Sequence, residues 1–117
     1  MKWTIPLLLL TALLLPNGAS AQTSPWDFES CEVQEIVLRD VQNSHVRLDC
    51  QIANRPECAT AAGWFAFDRS TQNGEQLLSA VMLAYSTNSK VKGTIRSFCS
   101  SIQPNVAELY QIRLTKE

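Results

Sequence analysis

The chain has 117 residues, with ten basic and eleven acidic side chains, a formal net charge of −1 and 45% hydrophobic residues. That length limits the chain to one modest core. The lack of a basic excess argues against nucleic acid as a partner, because binding a phosphate backbone requires concentrated cationic charge.

The first predicted element is a signal peptide over residues 1–21. Lys2 supplies a minimal positive region, Ile5 to Leu15 is almost wholly apolar, and Ala19-Ser20-Ala21 offers the small residues that signal peptidase accepts. Cleavage after Ala21 would leave residues 22–117 as a secreted or periplasmic domain. The apolar run is short and is followed closely by Pro16, Asn17 and Gly18, so stable membrane insertion is not expected.

Residues 22–29 read as a polar leader carrying Trp26 and Phe28 that drapes over the fold. The first strand is predicted over Cys31 to Val41, with Val33, Ile36 and Leu38 inward; the broken alternation between 33 and 36 predicts a β-bulge. Gln42-Asn43-Ser44 reads as a turn. In the second strand Val46, Leu48, Cys50 and Ile52 share one face, while Arg47, Asp49 and Gln51 share the other. A loop over 53–62 leads to a third strand, Trp64-Phe65-Ala66-Phe67, with Phe65 and Phe67 on one side.

The spacing next predicts a helix over roughly 73 to 87. Asn73 would cap it and Gln76 would complete a capping box. Leu77, Leu78, Val81, Ala84 and Tyr85 form the apolar stripe, widened by Met82 and Leu83. Ser86 to Ser89 ends it. Strands four and five are predicted over Val91 to Ser97 and Val106 to Leu114, separated by a loop containing Pro104. The order β-β-β-α-β-β is that of a small five-stranded OB-type barrel, a mainly β fold with one helix.

Cys31, Cys50, Cys58 and Cys99 all lie beyond the leader, and in a small exported domain they predict two disulfides. No pair has the spacing of a structural zinc site and His45 is the only histidine, so neither a metal nor another cofactor is expected. In an OB barrel the first strand pairs with the second and fourth, and the third with the fifth. On that topology the predicted bridges are Cys31 with Cys99 and Cys50 with Cys58. Cys31 with Cys50, forcing Cys58 onto Cys99, is the geometric alternative.

The leader ending at Ala21, the cysteine-flanked segment between strands two and three, and the helix Leu77-Leu78-x-x-Val81-Met82-Leu83-Ala84-Tyr85 running through Ser86-Thr87-Asn88-Ser89 into Val91 resemble the B subunits of bacterial AB5 toxins. The subtilase-cytotoxin and typhoid-toxin type is the nearest within that group. The resemblance, over roughly residues 28 to 97, implies an OB-fold protomer that forms a homo-oligomer, usually a pentamer, around a pore lined by the helices. It also implies a face that binds host glycans. The tyrosine expected in strand four falls at Thr94 or Ile95, so the sialoglycan site of that type is not carried over.

The side chains suggest binding rather than catalysis. Trp26 and Trp64 are the candidate ligand-binding residues, each an aromatic surface for a sugar, and each is also readable as cover for the barrel. His45 lies in a predicted turn with no nucleophile motif around it. Glu32, Glu35, Asp40 and Asp49 read as a solvated strand face rather than a hydrolytic pair, and Lys90, Lys92 and Arg96 as the charged edge of a strand that resists unwanted pairing. The expected function is therefore a non-enzymatic binding or assembly protein with a glycan or protein partner. The alternative is a monomeric periplasmic or extracellular accessory protein, of the inhibitor or envelope-stress kind.

Overall fold

The computed structural model describes residues 26–50, 52 and 54–116; the expected signal peptide lies outside the described residues. Five strands surround a core: β1 Asp27–Leu38, β2 Ser44–Leu48, β3 Trp64–Phe67, β4 Lys90–Cys99 and β5 Ala107–Arg113. One helix, α1 Gln72–Thr87, intervenes between β3 and β4. The strands close into a barrel in the order β1-β2-β3-β5-β4. All pairs are antiparallel except β3 with β5, where Phe65 faces Ala107. This is the OB connectivity expected from the element order.

β1 reaches both neighbours because it bends twice. The register with β2 shifts between Val33 and Glu35, at the predicted bulge. A second shift, against β4, lies between Phe28 and Cys31, where Ser30 has φ 56°. The strand begins four residues earlier than expected, so Phe28 belongs to the core rather than to a draped leader. Its ring stacks on Phe65, with centroids 6.1 Å apart. At the other end β1 stops at Leu38, which is 47% exposed instead of inward. The chain turns there through Asp40 and Asn43, and Asn43 N–H donates to the Asp40 carbonyl at 2.8 Å. Ser44 is not part of that turn: it starts β2, fully buried, and its hydroxyl accepts from Arg69 Nε at 2.7 Å.

The core consists of Val33, Val46, Leu48, Phe65, Phe67, Val91, Ile95 and Leu109 from the strands, closed by Leu77, Val81 and Ala84 of α1. The helix cap is Thr71, not Asn73. Thr71 Oγ1 accepts from Gly74 N–H at 2.9 Å. Asn73 instead donates its side-chain amide to the Tyr110 carbonyl at 3.2 Å, tying α1 to β5. Gly74 stands where a capping-box partner would, and a Cβ there would lie 1.7 Å from the Asp68 carbonyl oxygen. At the other end Asn88 caps in the left-handed conformation, its N–H directed at the Ala84 and Tyr85 carbonyls. The helix buries a narrower stripe than the sequence suggests: Met82, Leu83 and Tyr85 are 51%, 53% and 53% exposed.

The disulfides join Cys31 to Cys50 and Cys58 to Cys99, which corrects the expected pairing of Cys31 with Cys99 and Cys50 with Cys58. The reason is register. Cys31 lies opposite Val91, at the beginning of β4, whereas Cys99 ends that strand and faces Ala107. Eight residues of strand, about 26 Å at ~3.3 Å each, separate the two positions. Val33 faces Leu48 across β1 and β2, so two further residues bring Cys31 to Cys50, with Cα atoms 5.3 Å apart. Cys58 then bridges from the β2–β3 loop to the end of β4. Two disulfides belong to an oxidising, non-cytoplasmic compartment. Among the described residues no helix is long and apolar enough to cross a membrane.

Candidate functional site

Trp64 projects outward from β3, because Phe65 and Phe67 on either side of Ala66 point into the core. Register does the rest. Trp64 faces Arg47 of β2, and Arg47 faces Glu35 of β1. The Arg47 guanidinium lies over the indole, 5.8 Å from the ring centroid, and pairs with Glu35 Oε1 at 3.4 Å. One row further along the same face, Val37, His45 and Ala66 stand side by side. The His45 ring meets Trp64 edge to face at 5.7 Å.

The loop between β4 and β5, residues 100–106, closes this surface. Ser100 Oγ accepts from both Ile102 and Gln103 N–H groups at 3.1 Å, which curls the loop on itself. Three attachments hold it down: the Cys58–Cys99 disulfide at its root, Ala61 N–H to the Asn105 carbonyl at 3.1 Å, and Gln103 Nε2 to Asn43 Oδ1 at 3.4 Å. The result is an open cleft of about 320 Å³ lined by Trp64, His45, Arg39, Glu35, Gln103 and Asn105 among others. A half-buried indole with a guanidinium, a carboxylate and two amide-bearing residues around it suits a ring-shaped ligand with apolar faces and polar edges. Strands two and three, with the loops around them, are the usual ligand face of an OB barrel.

His45 lies within β2, not in a turn as the sequence suggested, and is 7% exposed. Burial holds its pKa below the ordinary 6.5, the Arg39 charge acts in the same direction, and the Ser44 backbone opposes them less strongly. Its Nδ1 is buried without a hydrogen-bond partner among the described residues. The neutral imidazole therefore serves as a wall for the indole.

The other candidates are dispersed. Trp26, at the entry to β1, is half-buried against the core, and its carbonyl accepts from Ile95 N–H at 3.1 Å; it does not join Trp64 in the cleft. Asp49 Oδ1 accepts from Glu32 N–H at 2.8 Å and Glu35 is held by Arg47, so these acids serve the β1–β2 pairing. Among the described residues no group of three or more His, Cys, Asp or Glu side chains is placed to hold a metal ion. Sequence reasoning missed Gln103 and Asn105. The signal was available, since the loop between strands four and five borders the ligand face of the fold the element order predicts.

No family model matches this chain, and no curated protein or solved structure matches it either.

Proposed function

We propose that this is a non-catalytic binding protein, secreted or periplasmic, that takes a glycan at the Trp64 cleft. The observation that carries the reading is the half-buried Trp64 ring, fixed between Arg47 and His45 at an open cleft beneath an amide-bearing loop. Apolar sugar faces stack on aromatic rings, while hydroxyl groups use planar donors and acceptors such as those of Arg47, Glu35, Gln103 and Asn105. The barrel would act as a multimer, as the resemblance to toxin B subunits implies. The outer face of α1 supports this: from Gln76 to Ser89 there is no charged side chain, yet Met82, Leu83 and Tyr85 are exposed. An uncharged apolar helix face meets a second copy of itself without repulsion, and depletion of charge characterises interface centres.

Two measurements test the reading together. Light scattering on the oxidised protein should give a discrete mass several times that of the protomer, and a glycan array should return ligands whose binding falls at least tenfold in W64A. A clean monomer would remove the ring and favour the accessory-protein alternative. A blank array would remove the glycan.

A further inference from the structure

The outward side of β4 carries Lys90, Lys92 and Arg96, alternating with the buried Val91, Gly93 and Ile95. The sequence suggested that these charges protect a strand edge. β4 lies within a closed barrel, hydrogen-bonded to β1 from Lys90 to Thr94 and to β5 from Lys92 onward. Protection of a free edge therefore does not explain Lys92, which is paired on both sides. β5 adds a further cation, since Arg113 is the direct cross-strand neighbour of Lys92. Like charges directly opposite each other destabilise a sheet, and neither residue forms an ion pair among the described residues. Four of the chain's ten basic residues thus lie on this surface; Lys90 stands opposite Glu32 and Arg96 beside Glu108, which leaves Lys92 and Arg113 as its uncompensated cations.

Aromatic side chains share that surface. The Arg96 guanidinium lies 4.3 Å from the Tyr110 ring centroid and 5.7 Å from that of Phe98. Both rings are about half exposed, at 47% and 50%. Arg96 also lies 3.3 Å from Glu108, in a geometry that leaves its Nε without a hydrogen bond. An arginine fixed between two exposed aromatics is a pre-organised anchor, and tyrosine, phenylalanine and arginine are the residue types enriched where proteins bind each other tightly.

We propose that the β4–β5 face, centred on Lys92, Arg113 and the Phe98–Arg96–Tyr110 cluster, is a docking surface for an acidic, aromatic-bearing segment of a partner protein. Charge complementarity selects the sign of the partner, and the exposed rings select a polypeptide. A polymeric phosphate or sulfate would leave the exposed Phe98 and Tyr110 rings uncovered. The surface lies on strands other than those that carry Trp64, so it is independent of the glycan reading.

The test is a titration of the oxidised full chain with a random glutamate–tyrosine copolymer at low ionic strength. Binding is expected, weakening steeply with added salt. It should fall at least tenfold in the charge-neutral variant K92Q/R113Q and in R96Q, and be unchanged in W64A. K92Q/R113Q should melt no lower than the parent, since it relieves an unfavourable pair; R96Q gives up the Glu108 ion pair and the Tyr110 ring contact and is compared well below its own melting transition. No binding at low salt, or binding that K92Q/R113Q leaves intact, would overturn the proposal. Stronger binding of heparin or oligothymidylate than of the copolymer, abolished by the same variants, would overturn the polypeptide in favour of a phosphate or sulfate polymer.

Discussion

At the residue scale, His45 shows how a single side chain joins fold to site. Its neutral ring supports Trp64, and burial together with Arg39 opposes its protonation. The unfolded chain therefore takes up a proton on His45 at a higher pH than the folded one. The stability that neutral His45 contributes is intact above about 6.5, its unfolded value, and declines as pH falls from there toward the lower folded value. Thermal melts of the parent should shift down across that window, and H45Q should flatten the dependence. Equal slopes in both proteins would assign the acid sensitivity to other groups. His45 looked like part of a turn in the sequence because Asn43 and Ser44 are turn formers. In the structure Ser44 is buried and bonded to Arg69, 25 residues away, a tertiary contact that local propensity cannot express.

At the element scale, α1 is held at its start by Thr71 and at its end by Asn88. Replacing Thr71 with Ala should cost about 1 kcal/mol, measured by denaturant unfolding, because the Gly74 N–H loses its acceptor. The same change at Asn73 should cost less, through its bond to Tyr110 rather than through a cap. The existence and class of every element were legible from apolar periodicity: Phe65 and Phe67 defined β3, and Leu77, Val81 and Ala84 defined the helix face. Boundaries were less so. β1 extends back to Asp27 because Phe28 stacks on Phe65, a contact between residues far apart in sequence. The breadth of the helix stripe was overstated, since apolar side chains at Met82, Leu83 and Tyr85 read as core unless the sequence is allowed a second, intermolecular surface. For the site, Trp64 was legible as a candidate because it alternates with core phenylalanines. Arg47 became part of it only through strand register.

At the scale of the whole molecule, the barrel closure and the two disulfides form one framework with two duties. Cys31–Cys50 staples the β1–β2 pair, and Cys58–Cys99 ties the β2–β3 loop to the root of the loop over the cleft. In the chain-entropy model the longer closure contributes about 4 kcal/mol and the shorter about 3. The double variant C58S/C99S should accordingly lose more stability than C31S/C50S, and should also expose residues 100–106 to amide exchange. Peptide mapping without reduction should recover a 31/50 fragment and a 58/99 fragment. The sequence supported either pairing, because the choice depends on how far β1 extends before Cys31 and on the bulges that set its register.

Trp64 is proposed as the floor of a glycan site. The most direct measurement is a glycan array of the oxidised parent and W64A side by side, with thermal melts to show that both are folded. The expected result is a defined set of glycans bound by the parent and lost, at least tenfold, in a W64A protein that is still folded at the assay temperature. Equal binding by both proteins, or binding by neither, would contradict it.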